Sequence, residues 1–104
     1  MKNLVLACCL SLFLVCVTAV AADYTGYISD ASCGAKHMDG SKASIDCVTS
    51  CVKGGQAPVF VGMDKKIYKL SDASKVSALL GQKVTLTGTM KGDTVVVEKA
   101  VAAK

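Results

Sequence analysis

Residues 82–101 read QKVTLTGTMKGDTVVVEKAV, and this stretch decides the fold. In its first half Val84, Leu86 and Met90 fall on one face of an extended chain. Lys83, Thr85, Thr87 and Thr89 fall on the other, the period-2 alternation of a half-buried strand. Lys91 and Gly92 turn the chain, and residues 93–101 (DTVVVEKAV) supply a second β-branched run, so the stretch predicts a hairpin. A two-stranded hairpin is marginal alone, and the partners it needs lie upstream.

Working back, residues 66–70 (KIYKL) and 58–62 (PVFVG) make another hairpin through the turn Met63-Asp64-Lys65. Residues 23–30 (DYTGYISD) make a first strand, with Gly26 expected at a bulge. Tyr24 and Tyr27 there point to opposite faces, so at least one belongs to the core. Two helical segments interrupt the strands. Ser44 is the expected N-cap of one running to Lys53, with Gly54-Gly55 as its stop. Ser71 or Asp72 caps a second, with Ala73, Val76, Leu79 and Leu80 at helical spacing and Gly81 just past its end. The expected fold is mainly β with two short helices. It is a five-stranded OB-like small barrel with an inserted Cys-bearing helix, because closure hides the edges of five short strands. An open α+β sheet is the alternative.

The segment before the first strand has a different composition. Of the first 22 residues, 18 are hydrophobic, which leaves about 44% in the other 82, an ordinary soluble value. Lys2 precedes an apolar run interrupted at Ser11, and Ala19-Val20-Ala21-Ala22 ends it with the small residues of a cleavage site. Residues 1–22 therefore read as a signal peptide and 23–104 as one OB-like domain. The protein is expected to be exported, periplasmic or secreted, and to meet a membrane only through that segment if it stays uncleaved. All 12 basic residues are Lys and they are scattered, so the bidentate fork that reads phosphate and guanine is missing, and nucleic acid is not an expected partner.

Removing residues 1–22 takes away Cys8, Cys9 and Cys16 and leaves Cys33, Cys47 and Cys51. Cys33 and His37 form a C-x3-H pair, and Cys47 and Cys51 a C-x3-C pair, which places four potential ligands in 19 residues. On a helix Cys47 and Cys51 sit one turn apart, about 40° around the axis. A helical turn over 33–37 would present Cys33 and His37 in the same way. Cys3His sets bind Zn2+, and a thiolate-rich set also suits Cu+. The competing reading is a disulfide, Cys33 with Cys47 or with Cys51, closing a loop of about 15 to 19 residues and contributing ~3 kcal/mol. It leaves an odd third thiol. A thiol-disulfide redox site is the third reading, and it needs a lowered thiol pKa, for which His37 and a helix N-terminus near Cys47 are the expected sources. The oxygen spacing of a Ca2+ loop and the glycine-rich signatures of phosphate sites and of serine hydrolases are absent from the sequence.

Gly26, Asp30, Cys33 and Gly34 follow a G-x-x-x-D-x-x-C-G opening. Cys47, Cys51 and Gly54 follow C-x3-C-x-x-G, and Gly81, Val84, Leu86 and Gly88 follow a closing-hairpin pattern. Over nearly all of residues 23–104 the chain resembles a largely uncharacterised family of small exported bacterial proteins with an OB-like β-barrel. His37 fits relatives in which a His follows the first Cys. The resemblance implies export and a small barrel and brings no activity. Together the residues point to an exported binding domain rather than an enzyme, with Cys33, His37, Cys47 and Cys51 as the metal ligand set for Zn or Cu. A disulfide-stapled module that binds a peptide, a glycan or a protein partner is the alternative.

Overall fold

The computed structural model describes residues 21–103. The segment read as a signal peptide therefore lies outside the described residues except for Ala21 and Ala22, and Ala22 already opens the first strand. In chain order the strands are β1 (Ala22–Asp30), β2 (Pro58–Gly62), β3 (Ile67–Leu70), β4 (Lys83–Lys91) and β5 (Thr94–Ala102). One helix, α1 (Lys42–Lys53), is inserted between β1 and β2, and 3-10 turns occupy Gly34–Lys36 and Ala73–Val76. No helix among the described residues is long and apolar enough to cross a membrane.

The strands close into a barrel in the order β1-β2-β3-β5-β4, with β4 returning to β1. Every pairing is antiparallel except the seam between β3 and β5, where only Lys69↔Thr94 and Leu70↔Val95 pair. This is the expected small barrel, and the open sheet is excluded. The alternation read in β4 sets the core: Val84 and Leu86 are fully buried, and Met90 packs against the same cluster. Ile28, Phe60 and Val95 fill the interior, and Val48 of α1 and Val76 join them.

Three local expectations change. The second helix is a single 3-10 turn followed by further turns, built on i→i−3 bonds such as Lys75 N to Asp72 O and Leu79 N to Val76 O. Tertiary bonds hold this segment against β5. Ser71 N donates to Val95 O, Val97 N donates to Ser71 Oγ, and Lys75 Nζ reaches Val97 O and Glu98 O. Those ties favour the tighter turn over an α-helix. Gly26 sits in unbroken register opposite Gly62, and its lost side chain makes room for the Phe60 ring. The register shift lies between Thr87 and Gly88 instead. Finally α1 begins three residues early: Ser41 is the N-cap and its Oγ accepts from Ser44 N at 3.2 Å, because the Ser44 hydroxyl is engaged elsewhere.

Candidate metal centre

The end of β1 builds the site's floor. Asp30 is fully buried, and its Oδ2 accepts from Ser32 N at 3.0 Å, from Cys33 N at 3.1 Å and from Ser32 Oγ at 2.5 Å. A carboxylate that collects the amides two and three residues ahead folds the chain back on itself. That turn aims Cys33 at α1. Buried Ser29 adds a second tie, its Oγ donating to Gly34 O at 2.7 Å. Opposite, Cys47 and Cys51 lie one turn apart on α1, whose face is fixed by the burial of Val48 and Val52 against the barrel.

The result is a trio. The sulfur atoms of Cys33, Cys47 and Cys51 all lie within 4.8 Å of one another, and each residue is half-buried. The three thiols are free, so no disulfide is formed among the described residues, and the predicted staple from Cys33 to Cys47 or Cys51 is not the state of this structure. Ser32 Oγ sits against the trio, 3.9 Å from Cys33 Sγ and 3.8 Å from Cys51 Sγ.

His37 stands outside this trio. The turn Gly34–Lys36 is 3-10, bonded from Lys36 N to Cys33 O, and the chain leaves it at His37 with φ −116° and ψ 75°. In a 3-10 turn residues i and i+3 eclipse, so His37 is not carried over Cys33 as it would be one α-turn on. Its Nδ1 is instead 3.2 Å from Ser44 Oγ, and Ser44 Oγ donates to Asp39 Oδ1 at 2.6 Å. The single Ser44 hydroxyl proton goes to the carboxylate, so the oxygen accepts from His37. That hydrogen bond occupies Nδ1, and Nε2 is the ring nitrogen left for a metal.

Electrostatics single out Cys33. Burial, reinforced by the adjacent Asp30 carboxylate and the Cys47 thiol, pushes the Cys33 thiol up to about 11, against an opposing hydrogen bond from Ser32. That is opposite to what a reactive thiolate requires. Cys47 is the sixth residue of α1, beyond the first turn where the helix dipole acts. For Asp30, burial raises the pKa, but the hydrogen bonds from Ser32 and Cys33 outweigh it and hold the carboxyl below its ordinary range. It is therefore a buried anion. Its Oδ1 has no hydrogen-bond partner, and the ion pair found among the described residues, Lys69 with Asp93, is elsewhere.

Three thiols at this separation, with an orphaned carboxylate oxygen on the floor, can hold a soft cation. Metal–sulfur bonds of ~2.3 Å place sulfurs ~3.8 to 4.0 Å apart around a tetrahedral or trigonal ion, so the trio needs to contract by at most about 1 Å. The sequence located the three cysteines. It did not identify Asp30 and Ser32 as their support, although an Asp followed two and three residues later by Ser and Cys is the signal of such a turn. No protein-family model, curated protein or solved structure matches this chain.

Proposed function

We propose that the protein is an exported metal-binding domain that holds one thiophilic ion, Zn2+ or Cu+, through Cys33, Cys47 and Cys51. The observation that carries this reading is the approach of all three sulfurs to within 4.8 Å while all three remain free thiols. Two further points support it. Asp30 is a fully buried carboxylate that keeps its charge and leaves one oxygen without a partner, and a metal ion beside it would supply the countercharge. In an oxidising compartment, adjacent thiols persist when a metal occupies them. A coordinating metal also displaces the proton that the raised pKa of Cys33 otherwise retains, so uptake strengthens as pH rises.

Anaerobic titration of the reduced protein with Zn2+ and with Cu+, read by native mass spectrometry, tests the proposal. One ion per chain is expected, and Cys33→Ser, Cys47→Ser or Cys51→Ser should each abolish it. His37→Ala separates the ligand set. Retention within about tenfold, the effect of a residue that only supports the site, leaves a three-thiolate centre. Loss makes His37 the fourth ligand through its free Nε2. Reduced protein that takes up neither ion disproves the assignment.

A further inference from the structure

β1 leads from the cysteine trio at Asp30 to a second feature at its other end, six residues or roughly 20 Å away. There the barrel is open. A cavity of about 380 Å3 is lined by Asp23, Tyr24 and Thr25 of β1, by Phe60 and Gly62 of β2, and by the hairpin and strands beyond them. This is the size range of a small-molecule site, roughly 300 to 1,000 Å3. α1 packs on the opposite end of the barrel, so nothing among the described residues plugs this one.

The walls have a consistent chemistry. Tyr24 and Tyr68 contribute half-buried rings, backed by the buried Phe60, whose ring lies 6.2 Å from that of Tyr68 at an interplanar angle of 33°. Met90 adds a polarisable floor, and Met63 stands over the rim with more than half its surface exposed. The charged residues lining the cavity are Asp23 and Asp64, both exposed, and no lysine joins them although the chain carries a net charge of +4. Neither carboxylate is ion-paired among the described residues. Asp64 Oδ1 accepts from Lys66 N at 3.1 Å, which leaves its other oxygen available, whereas Asp23 turns to the outer face of the barrel, where its Oδ1 accepts from Thr87 Oγ1 at 2.7 Å. Gly62 keeps the space open: a Cβ there would stand 2.9 Å from Asp64 Oδ1 and 3.7 Å from Tyr68 Cε2.

We infer that this cavity is a binding site for a small organic cation, an alkylated ammonium whose methyl groups rest on the Tyr24 and Tyr68 rings and whose charge faces Asp64. Ring faces attract such cations through their quadrupole, and the attraction is largest where water is excluded. A neutral apolar ligand would leave the Asp64 carboxylate unused, and an anion would meet it with like charge. The site uses no residue of the metal centre and stands or falls independently of it.

The test is an amide NMR titration of the purified protein with choline and, separately, with its neutral isostere 3,3-dimethylbutan-1-ol, at constant ionic strength. Choline should produce saturable shifts confined to the amides around Tyr24, Met63 and Tyr68. The neutral isostere should bind at least tenfold more weakly. The Asp64→Asn variant changes only an exposed side chain, so its spectrum should otherwise be unaltered, and its affinity for choline should fall about tenfold or more. Equal binding of the two probes overturns the inference, because the cavity would then be merely apolar. So does choline binding that Asp64→Asn leaves unchanged, and so does the absence of saturable shifts with choline.

Discussion

At the scale of single residues, Asp30 controls both the shape and the chemistry of the cysteine site. Its Oδ2 gathers three donors from Ser32 and Cys33, and its charge sits beside the Cys33 thiol. Removing the charge while keeping an acceptor separates these roles. In Asp30→Asn the like-charge contribution is lost, so the Cys33 pKa should fall from about 11 toward the ordinary thiol value of about 8.5. Alkylation rate against pH, followed at Cys33 by mass spectrometry in metal-free protein, measures this; an unmoved midpoint would assign the whole shift to burial. The same carboxylate affects stability with a defined sign. Its folded pKa lies below the unfolded value near 3.9, so its contribution is present above about pH 4 and is lost as pH falls through the folded pKa. Asp39, held down to about 2 by Ser44 and Ser41, acts in the same direction and loses its contribution between about pH 4 and pH 2.

At the scale of elements, α1 carries two of the three thiols, and its seat depends on Gly81. That glycine has φ +76°, and a Cβ there would stand 2.5 Å from Ile45 Cα and 2.9 Å from Ile45 N. Both obstacles are backbone, so the helix itself has to move. Gly81→Ala should destabilise the fold by about 2 to 4 kcal/mol, from left-handed strain plus overpacking. Because the shift moves Cys47 and Cys51 relative to Cys33, metal affinity should fall as well; thermal melts and metal titration of the one variant check both, and intact affinity would show that α1 adapts without disturbing the trio. In the sequence Gly81 reads as a helix stop and as part of the closing-hairpin pattern, and a backbone approach from a helix 36 residues earlier leaves no local pattern to show it. The strands were legible because β4 alternates from Val84 to Met90 and tight turns at residues 63–65 and 91–92 bound the hairpins. The trio was legible as three cysteines at helical spacing. The position of His37 was not, because it depends on whether four residues wind as α or 3-10, a choice made by Asp30 and by the bond from Ser29 to Gly34. The second helical segment winds as a 3-10 turn for the same kind of reason: Val76 and Leu80 do pack inward, but bonds to β5 determine how the segment winds.

At the scale of the whole molecule, the barrel and the cysteine site are joined but not identical. Ile28, Phe60, Val84, Leu86 and Val95 form the interior without any cysteine, and the cysteines contribute only where α1 and residues 31–41 lie over the end of β1. The main connections between the two layers are the burial of Val48 and the Asp30 turn. A structural ion in such a place should stabilise the folded state by mass action, about 2.7 kcal/mol at a free concentration one hundred times its Kd. In a domain of this size that raises Tm by roughly 10 to 20 °C. Its removal should nevertheless leave the barrel standing. Hydrogen exchange before and after chelation makes the distinction: amides of Val84, Leu86 and Val95 should keep most of their protection, while those of residues 32–38 and of α1 lose theirs. The weakest point of the ring is the parallel seam of β3 and β5, where two residue pairs close the barrel. If chelation also released the amides of Lys69, Leu70 and Val95, the metal would be holding the barrel closed, and the centre would be part of the fold rather than an addition to it.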